Sequence, residues 1–566
     1  MIRSLLTLCA APILLAVPPA TAQSGAPADA MAGMHHGFPQ TLDDWAHGAQ
    51  LFEGLGDFHR PAGTSSKEAQ AYFDQGMRFL WAFNHDEATR SFARAAELDP
   101  TCAMCFWGVA LTLGPNYNMP MMAEARAKVG FDAIHRAQAL SAKASPADQA
   151  MIAALAKRFD GAKGLDPSNG GPSLLAFANG MREAARRFPD DLDLQVLFAE
   201  SMMNLNPWKL WNADGSPAPG TLEIVSTLEG VLARAPNHPG ANHYYIHAVE
   251  ASKDPGKAIA SAERVGGAMP AAGHLVHMPS HILQRVGRYA DSAEVNRLAA
   301  AADTAYYAKT AAIDYYPMYS AHNYQFLAAA AAMEGRGAET VKALRDVRTT
   351  MSDDMVAGMP GIDWTIAFLY ESLLRFGMWD AMLAEPAPDP RLTGMVINYH
   401  SARVIAFAAQ GRVNEATAEL AETEKAVAAA PANAAAGMNA GLPLYEIAVL
   451  RAKARIAGAQ GDYATAIALL TQAVAKEDTL SYNEPADEFF PTRHLLGAAL
   501  LKAGRKVEAA SVYREDLKRN PANGWALLGL AQALEEQGRT AEAAEARAQF
   551  EAAWKSADTK IASSAF

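Results

Sequence analysis

Two pairs of histidines share one spacing: His243 with His247 and His277 with His281, the second pair 34 residues after the first. On a helix, residues four apart stand one above the other with about 5 to 6 Å between their Cβ atoms, so each pair presents two imidazoles on one face. That is metal-chelating spacing. Cys102 and Cys105 form a second constellation, a Cys-x-x-Cys with no His after it, which excludes covalent c-type haem attachment. A helix N-terminus lowers a thiol's pKa, so Cys102 suits redox exchange or soft-metal ligation, with a plain disulfide as the alternative. Met104, Met119, Met121 and Met122 lie near the pair, and Met31, Met34, His35 and His36 lie upstream. Thioether, thiolate and imidazole together suit copper, while imidazoles alone also suit zinc. The expected cofactor is therefore a copper or zinc ion on His243, His247, His277 and His281, with Glu250, His322, Cys102 and Cys105 as further ligands.

Such pairs meet only if the chain repeats its own geometry. A unit begun at Ala69 places Gly76, Phe79, Ala88, Phe92, Ala95 and Pro100 where a 34-residue tetratricopeptide unit needs small, aromatic and helix-ending residues. Gly497, Gly504, Ala509, Tyr513 and Pro521 fit the same slots independently. A turn glycine followed five residues later by a packing alanine recurs at Gly411 and Ala416, Gly461 and Ala466, and Gly538 and Ala543. The fold class expected is all-α, a tetratricopeptide-repeat α-solenoid of antiparallel helix pairs. With Gly287 as a turn glycine, units begin at Gly273 and Pro239, and both histidine pairs take positions 5 and 9. Glu250 then takes position 12, His274 position 2, and His322 falls near position 2 if Gly335 is a turn glycine. In such a superhelix these positions line the concave groove, and equivalent helices about 10 Å apart let four imidazoles share one ion or form two adjacent sites. Neutral imidazole is the ligand, so affinity is expected to fall as pH drops through about 6.5.

Residues 1–22, with Arg3, an apolar run from Leu5 to Val17 and Ala20-Thr21-Ala22, have the pattern of a signal peptide. Its removal takes Cys9 and leaves a periplasmic or secreted chain. Residues 23–64 read as a flexible Met- and His-containing leader, 65–340 as an N-terminal repeat region with the histidines, and 341–560 as a C-terminal repeat region. Residues 119–235 fit the period poorly, and Trp208, Trp211 and Asp214 to Pro217 suggest a loop insertion. Asn84 to Glu87 falls at a turn between helices, where polar side chains cap. The formal charge of -12 is spread without a basic stripe, which argues against nucleic acid as a partner. After residue 22 no apolar run approaches the 18 or so residues that span a bilayer.

Asn84 through Asn118, Asn242 through Glu250, and His277-Met278-Pro279-Ser280-His281 with Gly287-Arg288-Tyr289 together resemble a broad group of exported bacterial tetratricopeptide-repeat proteins. The resemblance covers most of residues 67 to 340. It implies the solenoid and marks both histidine motifs as family features, but brings no activity or cofactor. Three functions compete on these grounds: transition-metal binding, a metal-free scaffold whose groove takes a protein or peptide partner, and a metal-dependent enzyme with Glu250 as general base. No nucleophile elbow, phosphate loop or dinucleotide fingerprint names a substrate.

Overall fold

The computed structural model describes residues 39–310 and 316–566. The signal pattern of residues 1–22 and Met31, Met34, His35 and His36 lie outside them. The described chain is a succession of antiparallel helix pairs: Lys67–Trp81 with His85–Leu98, Tyr316–Met333 with Gly337–Thr350, Thr393–Ala409 with Val413–Ala429, Gly441–Ala459 with Tyr463–Glu477, Thr492–Lys502 with Lys506–Arg519, and Gly524–Glu535 with Thr540–Ala553. Among the described residues the one sheet is a two-residue hairpin, Ala435–Ala436 against Asn439–Ala440.

Local chemistry explains the pairing. The first helix of a pair must stop and reverse, and a residue with positive φ does this at least cost when it is glycine. Gly287, Gly335, Gly411, Gly461, Gly504 and Gly538 all sit there, with φ between 72° and 81°. Five residues on, Ala416, Ala466, Ala509 and Ala543 are buried between helices. Across pairs, the Phe92 ring lies between Gly76 and Gly108: a Cβ on either would come within 2.6 and 2.5 Å of it. Tyr513 is held in the same way between Gly497 and Gly529. One aromatic ring wedged between the glycines of successive first helices is the packing that defines the tetratricopeptide unit, and the chain is a solenoid of that type.

The frames read for the histidines coincide with real helix starts, Pro239–Val249 and Gly273–His277. Pro239 opens its helix without loss because the first turn has no partner for an N–H. Pro279 interrupts the second helix, which resumes as Pro279–Arg285. Residues 119–235 also form helices, Glu124–Leu140, Pro146–Ala156, Gly171–Arg187, Leu192–Met203 and Thr221–Arg234, with an irregular loop between the last two.

One expectation fails. Residues 39–64 are not a flexible leader: Trp45, Leu55 and Ala62 are buried, and Arg60 reaches Asp148, Asp191 and Asp193 at 2.8 to 2.9 Å. Low helical periodicity hid a segment whose few large side chains and one arginine fasten it to several helices. Later repeats return to earlier ones, since Trp525 Nε1 donates to the Ala332 carbonyl at 2.8 Å and Glu484 meets His281 across 203 positions. No helix of the described residues is long and apolar enough to cross a membrane.

Candidate metal centre

The groove expected for the histidines is filled. His243, His277 and His281 are 0 % exposed, His247 and Glu250 1 %, His274 2 %, while His322 is half-buried. Aromatic rings close over the site: Phe83 packs 4.5 Å from His243, Tyr117 and Trp208 lie 5.3 and 5.5 Å from His247, Tyr319 lies 4.2 Å from His274, and Phe326 lies 4.7 Å from His277 and His322. Trp208 belongs to the loop insertion. Trp211, beside it, donates from Nε1 to the Ala248 carbonyl at 2.8 Å, fixing that loop on the histidine helix.

The donors fall into three sets whose ligating atoms lie within 4.8 Å of one another: His243, His247 and His274; His277, His281 and His322; and His247, Glu250 and His281. The first two sets have the same origin, since each takes positions 5 and 9 of one unit and the position-2 histidine of the next. Metal–nitrogen bonds of about 2.0–2.1 Å put ligand atoms about 3.4 Å apart, so either set closes on an ion by a small inward movement.

Hydrogen bonds fix which nitrogen each ring offers. His243 Nδ1 lies 2.6 Å from the Trp81 carbonyl, an acceptor only, so Nδ1 carries the proton and Nε2 the lone pair. Asn296 donates to the Ser292 carbonyl through Nδ2, which turns its Oδ1 to accept from His277 Nδ1 at 2.7 Å. His247 Nδ1 donates to Glu250 Oε1 at 3.1 Å. His281 Nδ1 donates to Glu484 Oε2 at 2.5 Å, with Glu250 Oε2 3.0 Å away. That second contact is ionic, since Glu250 Oε2 is without a hydrogen bond of its own. Glu250 thus stands between His247 and His281, one residue of each set. Carboxylates and carbonyls behind the far nitrogen of a ligating histidine are what orient it and raise its basicity.

The near nitrogens are left facing one another. Among the described residues His243 Nε2, His247 Nε2 and both nitrogens of His274 have no hydrogen-bond partner, and His277 Nε2 lies 2.9 Å from His281 Nε2. Each buried unsatisfied polar atom costs on the order of 1–3 kcal/mol, and native proteins hold few. Two Nε2 lone pairs at 2.9 Å need a cation between them, either a proton or a metal. Burial opposes a proton on His281, but the Glu250 and Glu484 carboxylates outweigh it and raise His281 to about 10. Burial would raise Glu250, but His247 and His281 hold it down at about 2; burial lifts Glu484 to about 7 against His281. Burial keeps His243, His274 and His277 well below the ordinary imidazole value and takes His322 to about 3. A single titration near 6.5, expected for rings in an open groove, is therefore replaced by one strongly basic imidazole among neutral ones.

One sequence assignment changes. Cys102 and Cys105 form a disulfide, which removes both thiolates from any ligand set, and Cys102 caps the Ala103–Leu113 helix instead. Glu250 keeps its place in one set of donors, with His247 and His281, while Glu484, absent from the sequence assignment, stands behind the His281 ring. Glu484 leaves no trace in a 34-residue frame because it arrives on a loop from a distant repeat.

No family model matches the chain, and no curated protein matches it. Solved structures that match include a human IFIT1 dimer with PPP-AAAA, at 10% identity over 90% of this chain and 99% of that one, TM-score 0.31. The Cut9 and Hcn1 hetero-tetramer of APC/C matches at 13% identity over 91% and 79%, TM-score 0.30, and yeast Tom70 at 10% over 84% and 90%, TM-score 0.26. The class of protein is set by the helix pairs and wedged aromatic rings: an all-α tetratricopeptide-type solenoid with an enclosed cluster of imidazoles.

Proposed function

We propose that the protein binds two divalent transition-metal ions of the zinc type, one on His243, His247 and His274 and one on His277, His281 and His322. The observation that carries this is the convergence of imidazole nitrogens on one another, with His243, His247, His277 and His281 each backed by an acceptor at Nδ1 and both nitrogens of His274 left unpartnered among the described residues. With both cysteines joined, the donors are nitrogen and oxygen, which favours zinc or copper(II) over copper(I). Three histidines leave a fourth position for water or another ligand. Glu250 and Glu484 act from behind the rings. The chain is exported under this proposal, supported by the pattern of residues 1–22 and by a disulfide suited to an oxidising compartment. Its resemblance to exported bacterial tetratricopeptide-repeat proteins points the same way.

Proton release tests the chemistry. Below about 10 the metal-free His281 holds an extra proton, which an ion at Nε2 must displace. Affinity at that set therefore rises about tenfold per pH unit between 7 and 9, whereas the His243 set gains no such slope. Calorimetric zinc titration at pH 7 in buffers of differing ionisation enthalpy should show about one proton released at the His281 set. Binding with no proton release, or with a loss centred at 6.5, would count against this site.

A further inference from the structure

A separate cavity shares no lining residue with the imidazole cluster. A cavity of about 530 Å³ opens between the Phe368–Arg375, Thr393–Ala409, Gly441–Ala459 and Thr492–Lys502 helices. Drug-sized ligands occupy cavities of this size. Its walls are mainly alanine and aromatic side chains, and they include Arg375, Arg451, Arg455 and Lys502 with no aspartate or glutamate. In a chain of formal charge -12 that is a marked local reversal.

The arginines differ in how their charge is met. Arg451 is paired with Glu371 at 2.9 Å and with Glu488. Arg375, 4 % exposed, forms no ion pair among the described residues: Nη1 donates to His494 Nδ1 at 2.9 Å, and His494 passes the interaction to Asp516 through Nε2 at 2.8 Å. Among the described residues Arg375 Nε and Nη2 have no hydrogen-bond partner, and the guanidinium lies 3.9 Å from the Trp525 ring centre and 5.0 Å from that of Phe490. Arg455 rests 5.6 Å from Trp379, its Nε also unpartnered, and forms no ion pair among the described residues. Arginine does not give up its proton, so a buried guanidinium without an anion keeps its charge at a cost. An oxyanion in the cavity removes that cost, and the planar fork of arginine matches a carboxylate.

We infer that this cavity binds a small apolar carboxylate, its chain or ring against the alanine and Phe490 walls and its carboxylate drawn to Arg375 and Arg455. The inference is independent of the metal centre. Titration of the full-length chain with octanoate, followed by calorimetry and thermal shift, tests it, with octanol as the uncharged counterpart. Saturable octanoate binding is expected, at least tenfold tighter than octanol. It should weaken at least tenfold in Arg375→Met and be lost in Ala498→Phe, which fills the half-buried cavity wall and keeps every arginine. If Arg375→Met does not fold, Ala498→Phe decides alone. Absence of octanoate binding, equal binding of octanol, or binding unchanged by Ala498→Phe overturns the inference.

Discussion

Replacing His247 by asparagine should lower the zinc bound per chain from two equivalents to one, and replacing His281 should do the same at the other set. A structural zinc site is worth about 10–16 kcal/mol over four ligands, so one ligand carries about 3 kcal/mol and its loss weakens binding by about 100-fold or more. The two variants differ in a second respect. His281 is the imidazole raised to about 10, so His281→Asn should abolish proton release on zinc binding, while His247→Asn should retain it. One ion shared among His243, His247, His277 and His281 would instead be lost in either variant. Titration of zinc into metal-free chains, read by calorimetry, separates these outcomes.

The largest expected effect on stability lies elsewhere, at Arg60. Its guanidinium is buried and bound to Asp148, Asp191 and Asp193, and it joins the segment of residues 39–64 to two helices that follow it by about a hundred residues. Arg60→Met leaves three carboxylates gathered without their cation. Breaking a buried ion pair by removing one partner costs about 3–5 kcal/mol, against the small worth of exposed pairs. Arg391, which pairs with Asp354 and Asp389 on the surface, is the natural control. Urea denaturation should show a large fall in midpoint for Arg60→Met and none for Arg391→Met. Equal midpoints would mean that the Arg60 ion pairs contribute nothing to the stability of the fold.

Much of the architecture was legible because a solenoid repeats its rules. Gly287, Gly411, Gly461, Gly504 and Gly538 announce turns, alanines five residues on announce close helices, and the frame gave the helix starts at Pro239 and Gly273. The same frame put His243 with His247 and His277 with His281, and it placed His274 and His322 where each completes a set of three. What the period does not encode is how far the superhelix curls. Burial of the rings comes from Trp208 and Tyr117 on irregular segments and from Glu484 on a loop of a much later repeat. None of these stands at a repeat position, so the site read as an open groove. The lead-in misread as flexible has the same cause: Trp45 and Arg60 are fixed by partners distant in sequence, which no local pattern reveals.

Metal content decides the central claim. The chain, purified without an affinity tag from the compartment where it resides, should carry about two equivalents of zinc or copper by elemental analysis, and the His243, His247, His277 and His281 quadruple asparagine variant should carry none. A folded wild-type chain that holds no transition metal, and takes none up from micromolar zinc or copper(II), would contradict it.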